Sequence, residues 1–153
     1  MKFEQGEKIP EFKLKDHTGN EVSLSDFTGK NVLLSFHPLA WTSVCRKQMQ
    51  SLEDNYADFT ANNTVPLGLS IDPVPSKKAW AEKLEFENLK MLSDFWPHGE
   101  FAEKLGIFIE KSGTSGRVNI LINDQGEILW SKEYELGELP DIEEVLEQVK
   151  DNS

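Results

Sequence analysis

The chain has 153 residues, a formal net charge of −11 and a single cysteine. The length suits one domain with its own core, and the acidic excess repels phosphate backbones and anionic lipid, which argues against nucleic-acid and membrane partners. One cysteine and three histidines exclude a disulfide framework within the chain and a Cys-rich zinc site, and no metal or cofactor is expected.

In chain order, Phe12, Leu14, Val22 and Leu24 alternate with polar residues around Asp16–Asn20, the pattern of an N-terminal β-hairpin. A short turn follows over Ser25–Lys30. Val32–Phe36 is almost continuously apolar, as expected of a strand buried on both faces. Cys45, Met49, Leu52, Tyr56 and Phe59 then recur at helical spacing, so Cys45 lies on the inward stripe in the first turn of a helix. Val65–Ile71 is a second strand, and strand, helix and strand form a βαβ unit. Ser76 is placed to cap a helix carrying Trp80, Ala81 and Leu84. Leu89–Leu92 reads as a short strand, and Phe101, Ala102 and Leu105 as a helix ended by Gly106. Val118–Ile122 and Ile128–Trp130 form a hairpin around Asn123–Gly126. Ile142, Val145, Leu146 and Val149 stripe a last helix that starts near Pro140 and Asp141. The order predicts an α/β fold, a mixed central β-sheet flanked by helices, with residues 1–153 as a single domain.

No apolar run approaches the ~20 residues of a membrane span, and residues 1–8 lack the apolar stretch of a signal peptide. The expected location is therefore cytoplasmic. The late acidic residues Glu133, Glu135, Glu138, Asp141, Glu143, Glu144 and Glu147 read as a solvated face.

In open α/β sheets, sites form beyond the carboxyl ends of strands. Cys45 occupies such a place, where helix N–H groups and the helix dipole favour a thiolate. A free thiol is only about 3% ionised at pH 7, so full ionisation multiplies the reactive fraction by about 30. The rest of any large acceleration must come from orienting the substrate and stabilising developing charge. The neighbours of the sulfur therefore matter as much as its ionisation. Thr42, three residues earlier, can cap the helix and meet a substrate oxygen. Pro38 fixes the backbone leaving the strand, and reads either as a shield for the sulfur or as an ordinary loop proline. His37 reads as a packed or hydrogen-bonded loop histidine rather than a base. Arg117 reads as a strand-start arginine.

Pro38-x-x-x-Thr42-x-x-Cys45 resembles the active-site signature of the peroxiredoxins, the AhpC/TSA family. The opening hairpin, Leu92–Gly99, and Arg117 leading into the Val118–Asn123 strand resemble the same family, in the expected order. The lone cysteine and the Pro38-Leu39-Ala40-Trp41-Thr42 wording are most similar to its AhpE-type, one-cysteine members. The resemblance implies a thioredoxin-like fold and thiol-dependent reduction of hydrogen peroxide and organic hydroperoxides. Cys45 would be the nucleophile and would become a sulfenic acid. Thr42 would hydrogen-bond the peroxide and the sulfur, Arg117 would favour the thiolate and stabilise charge on the O–O unit, and Pro38 would cover the pocket. The Thr42 oxygen and the Arg117 guanidinium are then expected within a few ångströms of the Cys45 sulfur. Gln48 departs from the family, which often has Glu there, and Trp41 stands where Phe is more usual; with His37 they are supporting residues. The resemblance also implies a homodimer. Regeneration falls to an external thiol: a thioredoxin, a glutaredoxin-like protein or a low-molecular-weight thiol. Two other readings remain at this level. One is a single-cysteine, thioredoxin-like thiol–disulfide oxidoreductase, the other a non-catalytic redox-sensing domain.

Overall fold

Apolar strands alternate with amphipathic helices along the chain. The computed structural model, which describes residues 1–153, gathers them into a seven-stranded mixed sheet with helices on both faces. The elements are β1 (Lys13–Asp16), β2 (Glu21–Ser23), β3 (Asn31–Phe36), α1 (Ser43–Asp54), α2 (Tyr56–Ala61), β4 (Thr64–Ser70), α3 (Val74–Lys83), β5 (Lys90–Ser93), α4 (Glu100–Leu105), β6 (Phe108–Ile109), β7 (Thr114–Ser115), β8 (Arg117–Ile122), β9 (Ile128–Tyr134) and α5 (Ile142–Asp151). The sheet order is β2-β1-β5-β4-β3-β8-β9. Strands β3, β4 and β5 run parallel, β8 is antiparallel to β3, and the β1–β2 and β8–β9 hairpins close the two edges.

Alternation along the two central strands decides which chemistry faces which helices. Val32, Leu34 and Phe36 of β3 join Val118, Ile120 and Ile122 of β8 on one face, packed with Phe101, Ala102 and Leu105 of α4. Leu33 and Leu121 join the opposite core with Cys45, Met49 and Leu52 of α1, Trp80 and Ala81 of α3, and Val145, Leu146 and Val149 of α5. Because side chains alternate, Ser35 of β3 and Arg117 of β8 fall on this second face, beneath the start of α1. The register that pairs Phe36 with Val118 sets Arg117 level with the end of β3.

The fold follows the expected hairpin, βαβ, helix, hairpin and helix order, with local corrections. The stripe from Cys45 to Phe59 spans two helices, not one. The Asn55 side-chain amide donates to the Ser51 carbonyl at 2.8 Å, alongside the last helical N–H bond to that oxygen at 3.2 Å, and this side-chain bond competes with continued helix. Ser76 is not a cap. The third helix begins earlier, with Pro73 as its N-cap and Pro75 in its first turn, where a missing N–H costs nothing. Leu24 opens a 3-10 turn (Leu24–Phe27) instead of extending β2. The small β6–β7 hairpin has no counterpart in the sequence reading. By contrast, Gly106 ends α4 with φ of 78°, and Asp141 caps α5 by accepting from the Glu143 N–H at 3.0 Å.

Candidate active site

The loop from β3 to α1 carries the signature residues, and tertiary contacts hold it in an uncommon shape. After Phe36 the chain passes through buried His37 and half-buried Pro38. The Ala40 N–H then donates to Asp72 Oδ2 at 2.8 Å. Trp41 takes φ of 70°, a left-handed conformation that costs a non-glycine residue roughly 1–2 kcal/mol. Its indole Nε1 donates to Ser76 Oγ at 3.1 Å, which helps hold that turn. Ser76 thus belongs to the loop's support and not to a helix cap. Thr42 occupies the N-cap position of α1 with extended backbone (φ −98°, ψ 155°), but its hydroxyl donates to the Leu39 carbonyl at 2.7 Å and caps no first-turn N–H.

Cys45 is the third residue of α1 and is 1% exposed. It sits in the first turn of a helix that no side chain caps and whose first turn contains no acidic residue, and such a helix end favours negative charge. Arg117 reaches it from β8. Its Nη1 donates to Cys45 Sγ at 3.4 Å and to Gln48 Oε1 at 2.6 Å. Its Nε and Nη2 both donate to the Leu136 carbonyl, at 3.0 and 2.7 Å. Gln48, one turn after the cysteine, is fixed in its turn, since its Nε2 donates to Ser35 Oγ at 2.8 Å and to the Phe36 carbonyl at 3.2 Å. The guanidinium is therefore clamped between the surface loop after β9 and the buried amide of α1. Gln48 does this with a neutral oxygen, which leaves the full positive charge facing the sulfur.

Beneath the loop lies a second polar cluster. His37 is fully buried, its ring centroid is 5.5 Å from that of Trp80, and its Nε2 is 3.3 Å from Lys77 Nζ. Burial, with Lys77 and Arg117 nearby, holds the His37 imidazole well below its usual titration range and keeps it neutral. Lys77 is also fully buried, and burial lowers it from 10.5 to about 7 against the opposing charges of Asp72, Cys45 and Asp94. Asp72 accepts from Ser70 Oγ at 2.6 Å as well as from Ala40 N–H.

The structure thus brings Cys45, Arg117 and Gln48 into direct contact and places His37 as the packed histidine that the sequence suggested. The expectation for Thr42 needs correcting. No hydrogen bond joins its hydroxyl to the sulfur, because the hydroxyl hydrogen is committed to Leu39. Trp41 is 53% exposed and contributes to the rim of the site. Three participants escaped the sequence reading. Asp72 and the Leu136 carbonyl carry no local signal. Lys77 does, because Lys77, Trp80, Ala81 and Leu84 share the spacing of an inward helix face. No group of three or more His, Cys, Asp or Glu side chains is placed to hold a metal ion.

The model of the AhpC/TSA family matches residues 5–131 of the chain. The alkyl hydroperoxide reductase E of Mycobacterium tuberculosis is 35% identical over 137 residues, 89% of each chain. The peroxiredoxin Bcp of Escherichia coli is 34% identical over 129 residues, 80% of this chain and 81% of that one. Among solved structures, the peroxidoxin BcpB of M. tuberculosis superposes with a TM-score of 0.86 at 24% identity over 99% of both chains. The reduced 2-Cys peroxiredoxin of Plasmodium vivax gives 0.85 at 26% identity, over 95% of this chain and 79% of that one.

Proposed function

The chain belongs to the AhpC/TSA family, and on that premise we propose that Cys45 is the peroxidatic nucleophile of this one-cysteine, thiol-dependent peroxidase. The observation that carries the assignment is the Arg117 guanidinium 3.4 Å from the only sulfur thiol of the chain, at the open N-terminus of α1. The thiolate attacks the terminal oxygen of a hydroperoxide. An S–O bond forms, the O–O bond breaks, and its electron pair leaves on the departing oxygen, which takes up a proton. Cysteine sulfenic acid and water or an alcohol result.

Each neighbour has a part that follows from its geometry. Arg117 lowers the energy of the thiolate and of the charge that spreads onto the O–O unit. Since its position is fixed beforehand by Gln48 and Leu136, little reorganisation is needed as that charge develops. The Thr42 hydroxyl, with its hydrogen held by Leu39, offers an exposed oxygen lone pair. It therefore accepts the O–H of the incoming hydroperoxide and points that oxygen at the sulfur. Pro38, half-buried and without an N–H, screens the sulfur from water.

The sulfenic acid is reduced by an external thiol, since this chain has no second cysteine. A thiol attacks the sulfenic sulfur to give a mixed disulfide and water, and a second thiol releases Cys45; a thioredoxin, a glutaredoxin-like protein or a small thiol serves. The thiol–disulfide oxidoreductase reading lacks support, because Thr42 stands where a Cys-x-x-Cys nucleophile would be and the relatives are peroxidases. We read residues 1–153 as a single domain and the protein as a homodimer. Leu39, Trp41, Phe95, Trp96, Leu136 and Leu139 are all exposed on loops of the β3–α1, β5–α4 and β9–α5 connections, which supports a covered interface there. A free thiol fits a reducing compartment, in line with a cytoplasmic site of action.

Stopped-flow mixing of the reduced protein with hydrogen peroxide, followed by tryptophan fluorescence, tests the assignment. Trp80 shares the buried cluster of Cys45 and reports on it. Oxidation should far outrun that of free cysteine at the same pH. A rate no faster than free cysteine refutes the peroxidase reading of Cys45.

A further inference from the structure

Asp72, in the β4–α3 loop, is a carboxylate at 6% exposure with no salt bridge within 4.0 Å. Burying such a charge is costly unless hydrogen bonds offset it. It does not serve the helix that follows, because the N-cap of α3 is Pro73 and no side chain caps that end. Both hydrogen bonds to its side chain converge on one oxygen. Oδ2 accepts from Ser70 Oγ at 2.6 Å and from the Ala40 N–H at 2.8 Å. The residue is itself tied to the sheet. Ser70 ends β4, and the Asp72 carbonyl accepts from Ser93 Oγ of β5 at 2.6 Å. Asp72 is thus an arm from the sheet to the β3–α1 loop. The N–H it holds belongs to the same peptide group as the Leu39 carbonyl, and that carbonyl takes the Thr42 hydroxyl hydrogen at 2.7 Å. The Leu39–Ala40 bond is trans, so its N–H and C=O point in opposite directions within one plane. Holding the N–H on Asp72 therefore aims the carbonyl at Thr42. A charged acceptor on the N–H also polarises the amide and makes its oxygen a stronger acceptor.

We infer that Asp72 is a positioning residue for the hydroperoxide, acting on it through the Leu39–Ala40 peptide and the Thr42 hydroxyl. This rests on Cys45 attacking the peroxide and on Thr42 accepting its O–H. A threonine hydroxyl rotates to suit its surroundings. With the Leu39 carbonyl turned away, its hydrogen would be free to take the place of the lone pair that the substrate needs. With the carbonyl held by Asp72, the lone pair is presented before the substrate arrives, and no rotor has to be fixed during binding. The donors all point one way: from the peroxide O–H to Thr42 Oγ1, from the Thr42 O–H to the Leu39 carbonyl, and from the Ala40 N–H to Asp72. In that order each bond strengthens the next. Asp72 itself touches neither substrate nor sulfur. Its charge alone gives the reaction nothing, since a carboxylate in the cluster beneath the loop disfavours a thiolate above it.

A double-mutant cycle separates this from a packing role. Asp72→Asn and Asp72→Ala lose the same charge, but only asparagine keeps an oxygen that can take the Ala40 N–H. Each is made with Thr42 intact and in a Thr42→Val background. Oxidation by hydrogen peroxide is followed in stopped flow at a pH where the thiolate absorbance of every variant has reached its plateau, so ionisation does not enter the comparison. With Thr42 intact, Asp72→Asn should react within about twofold of the unsubstituted protein, and Asp72→Ala about three- to tenfold more slowly than Asp72→Asn. In the Thr42→Val background the two should react at the same rate, because the hydroxyl through which Asp72 acts is gone. Equal slowing by Asp72→Ala in both backgrounds assigns the residue to packing and overturns the inference. Equal rates for Asp72→Asn and Asp72→Ala with Thr42 intact overturn it too. If Asp72→Ala fails to fold, Ser70→Ala removes the hydroxyl that anchors Oδ2 and keeps the charge. It should slow oxidation by about two- to fivefold only where Thr42 is intact, and slowing in both backgrounds or in neither overturns the inference. A sulfur that peroxide oxidises no faster than free cysteine in the unsubstituted protein overturns the assignment of Cys45 instead.

Discussion

Replacing Arg117 with methionine removes the cation at the sulfur and keeps much of the side chain's bulk. At the observed 3.4 Å, and with the effective dielectric of about 20 that suits protein sites, the guanidinium and a thiolate attract by about 5 kcal/mol. The neutral thiol keeps part of that contact, so about 2–3 kcal/mol remains as preference for the reactive form. Near neutrality the ionisation part of the loss is capped at about 30-fold, the ratio of a fully ionised thiol to a free one. A further loss comes from charge on the O–O unit, which persists at high pH where every thiol is ionised. Stopped-flow oxidation by hydrogen peroxide across pH separates the two, with thiolate ultraviolet absorbance as the independent measure of ionisation. The Gln48 oxygen and the Leu136 carbonyl lose their donors, so a urea titration should also show about 1–3 kcal/mol of lost stability. An oxidation rate within about threefold of the unsubstituted protein, in a folded variant, would refute the role derived for this arginine.

Thr42→Val should slow oxidation by about tenfold or more, one hydrogen bond's worth, while Thr42→Ser retains most of the rate; equal rates for Val and Ser would remove the hydroxyl from the reaction. Gly68→Ala should cost about 1–3 kcal/mol in urea unfolding, because a Cβ there overlaps Met49 Sδ and presses Met91 Cγ at 3.3 Å. Met49 lies one turn after Cys45, so oxidation should slow as well, and adding Met49→Ala should recover part of both losses. The buried bases give a pH dependence with a definite sign. Lys77 falls from 10.5 to about 7 on folding, so the native chain holds fewer protons than the unfolded one between those values, and stability from this residue rises with pH across that window by up to roughly 5 kcal/mol. In a Cys45→Ser background, which keeps the thiol out of the titration, Lys77→Met should flatten the rise seen in urea unfolding from about pH 7 to pH 10. His37, also lowered, should make the protein lose stability as pH falls from 6.5 toward its folded value.

Much of this site is legible in the sequence, and the division has physical causes. The spacing of Cys45, Met49 and Leu52 reports burial on one helix stripe, so the sulfur's inward placement followed directly. Residues 32–36 and 118–122 are apolar on both faces because both strands are central. What escaped depends on distant partners. Arg117 and Cys45 are 72 positions apart, and nothing local says which carbonyl or amide will hold the guanidinium. The Thr42 hydroxyl turned to Leu39 because the left-handed turn at Trp41 brings that carbonyl within reach, and a tryptophan in such a conformation is not foreseeable from composition. Lys77 has the spacing of the inward face of α3, but its chemical type points to solvent. Charged side chains usually lie on the solvated face, and here the polar floor of the site overrides that tendency.

The pairing of Phe36 with Val118 has a consequence for how this chain tolerates change. Strand side chains point alternately to opposite faces, so a slip of one residue between β3 and β8 would send Arg117 to the far side of the sheet. The site is in that sense indexed, like two rulers laid edge to edge. An extra residue in the Asn123–Gly126 turn can be absorbed at the rim. A single deletion inside Arg117–Ile122 would disarm the cysteine without altering any residue that touches it.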